Sequence, residues 1–350
     1  MALLKFTGIG IKTLSTAVPK NKVKTIEQVK YFPKKHLENF IKTTGVEERR
    51  IADKDTCSSD LCFNAAMNLF EQTDTNPEEI DALIFLSQTP DYRVPGTAII
   101  LQDKLGLNKS TIAFDVNLTC SGYIYGLFLA YSMANVHGIN NVLLLVGETL
   151  SKISSKNDKS TGLLLGDGGS ATLISKDDKY EESFFSLNTD GESYKSVIIP
   201  GGGFRNMSSK VTLTNKTDEN GNVRNAEQIR MDGLDVFSFA VSKIPKDIKN
   251  ILEFASLDLS IIDKMVFHQS NRYMMDVIVK KAKADQSKML YSIQKYGNTS
   301  GVSIPLTIAD QKGLINNNDL LLLNGIGAGF SWGSIILKLV DCTILNVNEV

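Results

Sequence analysis

The chain has 350 residues, enough for roughly two domains of about 100–150. Hydrophobic residues make up 42% and charged residues 22%, a globular mixture that excludes disorder and collagen-like folds. Lys plus Arg (38) nearly balance Asp plus Glu (39), and the net charge of −1 argues against a chain devoted to nucleic acid or an anionic membrane surface.

The first residues, Met1-Ala-Leu-Leu-Lys-Phe6, lack the charged and apolar regions of a secretory signal. Apolar runs such as Val142–Val146 and Leu320–Leu323 are too short to span a bilayer. Cys57 and Cys62 have no second pair to complete a zinc site, and His36, His137 and His268 lie far apart. These features predict a soluble cytoplasmic protein without metal or membrane contact.

In chain order, short apolar strands are predicted at Ala82–Leu86, Ile112–Val116, Val142–Val146 and Ala171–Ile174, alternating with segments of helical period. Gly122–Asn135 is apolar almost all round, the mark of a buried helix. The stretch Gly201–Asn225, rich in Gly, Ser, Thr and Asn, reads as an exposed loop. Strand–helix alternation predicts α/β architecture with largely parallel sheets covered on both faces.

The order of elements repeats once. Asn68–Phe85 lies without a gap on Asn250–Phe267, a shift of 182 residues. Cys120–Leu127 lies on Thr299–Leu306 at 179, and Asn140–Gly147 on Asn317–Asn324 at 177. Three segments in one order at nearly one shift indicate an internal duplication. The expected organisation is residues 1–178 and 179–350 as two similar halves about a pseudo-twofold axis.

The duplication brings candidate chemistry together. Cys120 opens the buried helix of the first half, and Asn298-Thr299 occupy the matching place in the second. His268 follows strand Met265–Phe267 and matches Leu86. A thiol at a helix N-terminus is stabilised as thiolate by unpaired N–H groups, which can also hold an oxyanion. Taken alone, Cys120 reads as an inert core thiol, His268 as a buried side chain and Asn298 as a turn residue. Cys57, Cys62 and Cys342 carry no predicted role. Gly166-Asp-Gly-Gly-Ser170 and Gly325-Ile-Gly-Ala-Gly-Phe-Ser-Trp-Gly333 both lead into strands, so close backbone approach suits them better than nucleotide cradling.

Over essentially its whole length the chain resembles the β-ketoacyl-acyl-carrier-protein synthase III group of thiolase-fold condensing enzymes. The resemblance rests on Thr44-Gly-Val-Glu-Glu-Arg-Arg50, Asp115-Val-Asn-Leu-Thr-Cys-Ser-Gly-Tyr123, Leu165-Gly-Asp-Gly168, Met231-Asp-Gly233, Phe267-His-Gln-Ser-Asn271, Tyr296-Gly-Asn-Thr-Ser-Gly301 and Gly327-Ala-Gly-Phe-Ser-Trp-Gly333. It implies a duplicated thiolase-like fold, a five-layered α/β/α/β/α sandwich, and a homodimer. It also implies a Cys–His–Asn triad at Cys120, His268 and Asn298, with Cys120 and the Ala328–Gly329 stretch as oxyanion hole. Asn298 stands where elongating synthases carry a second histidine and biosynthetic thiolases a second cysteine.

The implied reaction is a decarboxylative Claisen condensation. Cys120 takes the acyl group of a thioester; a malonyl thioester on acyl carrier protein loses CO2; the enolate, held by His268 and Asn298, attacks acyl-Cys120. Losing either donor should cost about 3 kcal/mol. No cofactor is implied beyond CoA or acyl-carrier thioesters. Phe330 and Val94 are expected along the acyl tunnel. Arg272, Lys280, Lys281 and Lys283 are expected to face the acidic carrier, although a solvated helix face explains a lysine run equally well.

Two departures touch donor choice. Glu38–Gly45 lacks the Trp and Arg that clamp the CoA adenine in acyl-CoA-primed members, and Lys159 stands for a second arginine. A weaker nucleotide grip follows, with a carrier-bound thioester or an unusual CoA as donor. Other readings are transfer to another acceptor (O, N or C), a catalytically silent carrier-binding subunit, and a cysteine hydrolase. The intact triad speaks against the silent subunit, and the lack of a carboxylate or base beside His268 against the hydrolase.

Overall fold

A computed structural model describes residues 2–350. The strand Asn141–Thr149 shows why the sheets form. Val142, Leu144 and Val146 belong to one buried cluster and Leu143 and Leu145 to another, so a continuous apolar run feeds both faces. Leu321 and Leu323 on Leu320–Gly327 face the shared cluster, with Leu322 turned the other way.

The strands build two main sheets. In the first the order is Thr343–Glu349, Ile9–Val18, Asp167–Lys176, Asn141–Thr149, Ala82–Leu86, Ile112–Val116. In the second it is Ala2–Phe6, Ser183–Thr189, Ser331–Lys338, Leu320–Gly327, Lys264–Phe267. Corresponding strands occupy corresponding places, and the sixth position of the second sheet shrinks to a parallel bridge between Met265 and Met289. The sheets are mixed, unlike the largely parallel ones expected. Pairs around Asp167–Lys176 and Ser331–Lys338 are antiparallel. A connection as short as Ala328–Phe330, between the strands ending at Gly327 and starting at Ser331, permits no other direction.

Helix Gly122–Ala134 packs on strands of both sheets, and Ser303–Asp310 lies beside it in the same middle layer. The closeness is built into the sequence: a Cβ on Gly122 would collide with the side chain of Leu86. Ser58–Gln72 covers the outer face of the first sheet and Gly233–Ala255 that of the second, giving five layers, α/β/α/β/α. Three apolar clusters fill the spaces between them.

Position 178/179 falls in the connection between Asp167–Lys176 and Ser183–Thr189. The terminal strands cross over, however. Ala2–Phe6 pairs antiparallel with Ser183–Thr189 in the second sheet, and Thr343–Glu349 pairs parallel with Ile9–Val18 in the first. Each half completes the other's sheet.

The Gly201–Asn225 stretch is a largely exposed loop with one short ladder, Lys216–Thr217 against Val223–Arg224. It is tied to the first half where Lys159 donates from its backbone N–H to Asn222 and from its ammonium to the Asn220 carbonyl.

Candidate active site

Strand ends at the seam of the halves deliver the polar groups. Cys120 occupies the turn between Ile112–Val116 and the middle-layer helix, two residues before its first residue, Gly122. The Gly122 N–H donates to the Thr119 carbonyl at 2.7 Å, and Ser121 and Ser331 share a hydroxyl–hydroxyl bond of 2.6 Å that pins this turn to the second sheet. His268 follows strand Lys264–Phe267, its own N–H donating to the Asn324 carbonyl. Asn298 sits in the loop before the second middle-layer helix, paired with Leu165.

These three residues line one apolar pocket with Leu164, Ile326 and Phe330. The Asn298 amide nitrogen lies 3.4 Å from His268 Nε2. Its orientation is fixed from behind, because the Ser300 N–H donates to Asn298 Oδ1 at 2.9 Å.

His268 Nδ1 lies 2.8 Å from Ser303 Oγ and 3.2 Å from the Ser300 carbonyl. Burial holds the imidazole down at about 4, so it is neutral near pH 7. Its tautomer follows Ser303. When that hydroxyl donates to Nδ1, the proton sits on Nε2 and faces the pocket. When it donates instead to the Ser300 carbonyl, 2.7 Å away, Nδ1 carries the proton.

Cys120 departs from the expected lowering of its pKa: burial pushes the thiol up to about 11. The hydroxyls of Ser300 and Thr119 act in the opposite direction, and the nearby Glu148 adds to the rise. The apolar walls that suit an acyl chain also desolvate the thiolate. Glu148 is fully buried and pushed up to about 8, accepting from the Gln88 backbone and amide N–H groups. The same Gln88 amide donates to Ser300 Oγ at 2.9 Å.

The tunnel and oxyanion residues divide. Phe330 is buried in the pocket wall and stacks on Phe239 with ring centres 4.0 Å apart. Val94 does not line this pocket; it is 85% exposed on the turn before Pro95. Cys120, Gly327 and Ala328 line the pocket and Gly329 adjoins it, but the Ala328 N–H is taken, donating to Thr119 Oγ1 at 2.7 Å.

Helix Arg272–Lys281 starts beside the pocket, where Asn271 and Met274 line it. Arg272 is engaged with Asp276 and stacks over Tyr291 at 3.5 Å, whereas Lys280, Lys281 and Lys283 are exposed at the far end. Lys159 lines a second, polar cavity with Arg224 and Arg230 that shares Met231 and Gly233 with the apolar pocket.

A Fusobacterium nucleatum beta-ketoacyl-[acyl-carrier-protein] synthase III is 34% identical over 334 residues, covering 94% of this chain and 98% of its own. The chain belongs to the 3-oxoacyl-[acyl-carrier-protein] synthase III family. The family description matches residues 114–191, and its C-terminal counterpart residues 252–339. A second relative of the same name, from Caldanaerobacter subterraneus, is 35% identical over 88% of this chain and 95% of its own. The crystal structure of a Burkholderia xenovorans 3-oxoacyl-(acyl-carrier protein) synthase superposes with a TM-score of 0.93 at 34% identity, covering 100% of this chain and 99% of that one. The protein is therefore a thiolase-fold condensing enzyme.

For a synthase III family member, sequence reasoning missed the groups that hold the candidate triad: Gln88, Thr119, Glu148, Ser300 and Ser303. Each is a common residue type, and only the fold gathers them around the candidate triad. Glu148 alone carried a signal, as a lone carboxylate at the end of the apolar run Val142–Val146.

Proposed function

We propose that the protein condenses an acyl thioester with a malonyl thioester on acyl carrier protein, with loss of CO2, to form a β-ketoacyl-carrier product in fatty-acid biosynthesis. The observation that carries this reading is one apolar pocket that presents Cys120, His268 and Asn298 together at the seam of the halves. Cys120 takes the acyl group, a step that needs its raised thiol to lose its proton. His268, neutral at working pH, and Asn298 then supply two N–H donors to the enolate oxygen formed when CO2 leaves. Neither donor needs a charge, which suits a buried site. No cofactor enters this sequence.

The finer reading places the enzyme in the cytoplasm as a homodimer. Exposed Tyr92, Val94 and Ile99 beside the edge strand Ile112–Val116 support a second copy there. The acidic carrier docks over Lys280, Lys281 and Lys283, with Arg272 nearer the pocket. With Lys159 in place of an arginine, the donor is held chiefly through its acyl and pantetheine parts.

Intact-protein mass spectrometry of wild type and Cys120→Ala with a panel of acyl-CoAs and acyl carriers tests this. Acyl mass on wild type alone, followed by its loss with malonyl carrier and release of β-ketoacyl carrier, is the expected outcome. Equal labelling of Cys120→Ala removes Cys120 as nucleophile. Rapid acylation by low-micromolar acetyl-CoA removes the weak nucleotide grip.

A further inference from the structure

Acylation of Cys120 creates a tetrahedral intermediate whose oxygen needs hydrogen-bond donors, and the amide expected from the Ala328–Gly329 stretch is not free. The Ala328 N–H donates to Thr119 Oγ1 at 2.7 Å. A hydroxyl has one proton and two acceptor positions. With one lone pair occupied by this amide, the Thr119 proton remains to be given away. Among the described residues it has no oxygen or nitrogen acceptor; its protein neighbour is the Cys120 thiol itself.

The hydroxyl is seated deliberately close. Gly327 is in extended backbone, a conformation open to any residue, so flexibility does not explain the glycine. A Cβ at Gly327 would collide with Thr119 Oγ1 and also with the Ser121 backbone nitrogen and hydroxyl. The glycine therefore lets the whole Thr119–Ser121 turn lie against this strand end, which brings the hydroxyl to the Ala328 amide. Thr119, Cys120, Gly327 and Ala328 all line the same pocket.

We propose that Thr119 is a catalytic residue, its hydroxyl donating to the thioester oxygen while Cys120 is acylated and so replacing a backbone amide of the oxyanion hole. The inference rests on the acyl-Cys reading above. In the step, the Cys120 sulfur bonds to the acyl carbon and the carbonyl π pair moves onto oxygen, where the Thr119 O–H and a Cys120-side N–H hold it. That pair then reforms the carbonyl, the bond to the donor sulfur breaks, and the proton lost by Cys120 ends on the departing thiol. The Ala328 N–H polarises the hydroxyl it bonds, strengthening the donor.

The test is single-turnover acylation with S-acetyl-N-acetylcysteamine, a thioester without nucleotide or carrier, followed by intact mass. Thr119→Ser keeps the hydroxyl and should acylate within about threefold of wild type. Thr119→Val caps the Ala328 amide with a methyl group and should slow acylation about 10²–10³-fold, the usual effect of losing one such donor. Thr119→Ala, which opens the amide to water, should fall between, at least tenfold slow. Should the valine variant fail to fold, the alanine–serine contrast decides. Acylation of Thr119→Ala or Thr119→Val as fast as wild type overturns the proposal, since the threonine would then be a plug or a bystander. Failure of wild type to acquire acyl mass on Cys120 under every donor instead overturns the acyl-Cys reading.

Discussion

The two halves share a scaffold and differ where their strands end. Three antiparallel or parallel pairings of the first sheet, from Ile9–Val18 through Ala82–Leu86, recur with the same directions in the second, from Ser183–Thr189 through Lys264–Phe267. At the first half's strand end stands Leu86, buried against Gly122; at the matching end stands His268. Cys120 precedes a helix of 13 residues, whereas its counterpart Thr299 precedes a 3-10 turn and a helix of only eight. The loop and 3-10 turn before the shorter helix carry Asn298 and Ser300 into the pocket, and Ser303 at the helix start backs His268. The shared strand pairings pack the layers, and the residues that differ at the seam supply the candidate chemistry.

Variants at matched positions test that division, and the largest effects belong to the triad. Cys120→Ala should abolish acyl-enzyme formation, read by mass. His268→Ala and Asn298→Ala should still form acyl-Cys120 but condense about 10²–10³-fold more slowly, read as β-ketoacyl product. If they lost both half-reactions equally, the two sides of the seam would not divide the work as argued. Ser303→Ala leaves His268 Nδ1 with the Ser300 carbonyl as its remaining partner, which demands a proton on Nδ1. Condensation should fall about tenfold with acylation unchanged, and 15N shifts of the imidazole should report loss of the Nε2–H form.

Stability variants give smaller effects. Gly122→Ala, crowding Leu86, should cost about 1–3 kcal/mol in urea unfolding. Its counterpart Gly301→Ala should cost less, because a Cβ there meets the Val146 side chain at 3.0 Å, a gap that small shifts can open. Reversal of that order would show that the middle layer is tighter in the second half.

The last effect is pH dependence. Glu148 has its folded pKa raised to about 8, from an ordinary 4.5. Between those values the folded chain holds a proton that the unfolded chain releases. Its contribution is therefore fully present below 4.5 and is lost as pH rises through about 8. Glu148→Gln should flatten the decline in melting temperature across that window. His268 acts in the opposite sense: with its folded pKa near 4 and 6.5 unfolded, stability is lost as pH falls through that interval.

Much of this was legible in the residues. The strands Ala82–Leu86 and Ile112–Val116 match their apolar runs end to end, and the buried helix differs from its expected span by one residue. The strand-direction mixture was hidden, because a buried run is apolar on both faces whichever way its neighbour points. The exchange of terminal strands was hidden too: nothing local to Leu3 or Ile344 specifies a sheet on the far side. At the site, Cys120 shares its pocket with Leu164, Ile326 and Phe330, which are distant in sequence. The Thr119–Ala328 bond joins residues that are likewise far apart in sequence.

The exchanged terminal strands also set a timetable for synthesis. The first sheet waits for Thr343–Glu349, which seals its edge beside Ile9–Val18, and Val350 exchanges backbone bonds with Val18 and Lys20. A nascent chain holding Cys120 thus leaves one side of Ile9–Val18 unpaired until Thr343–Glu349 has been made. The thiol meets His268 and Asn298 only after the second half has been made as far as Asn298. Reactive chemistry is assembled late, on a framework that no fragment of the chain can close by itself.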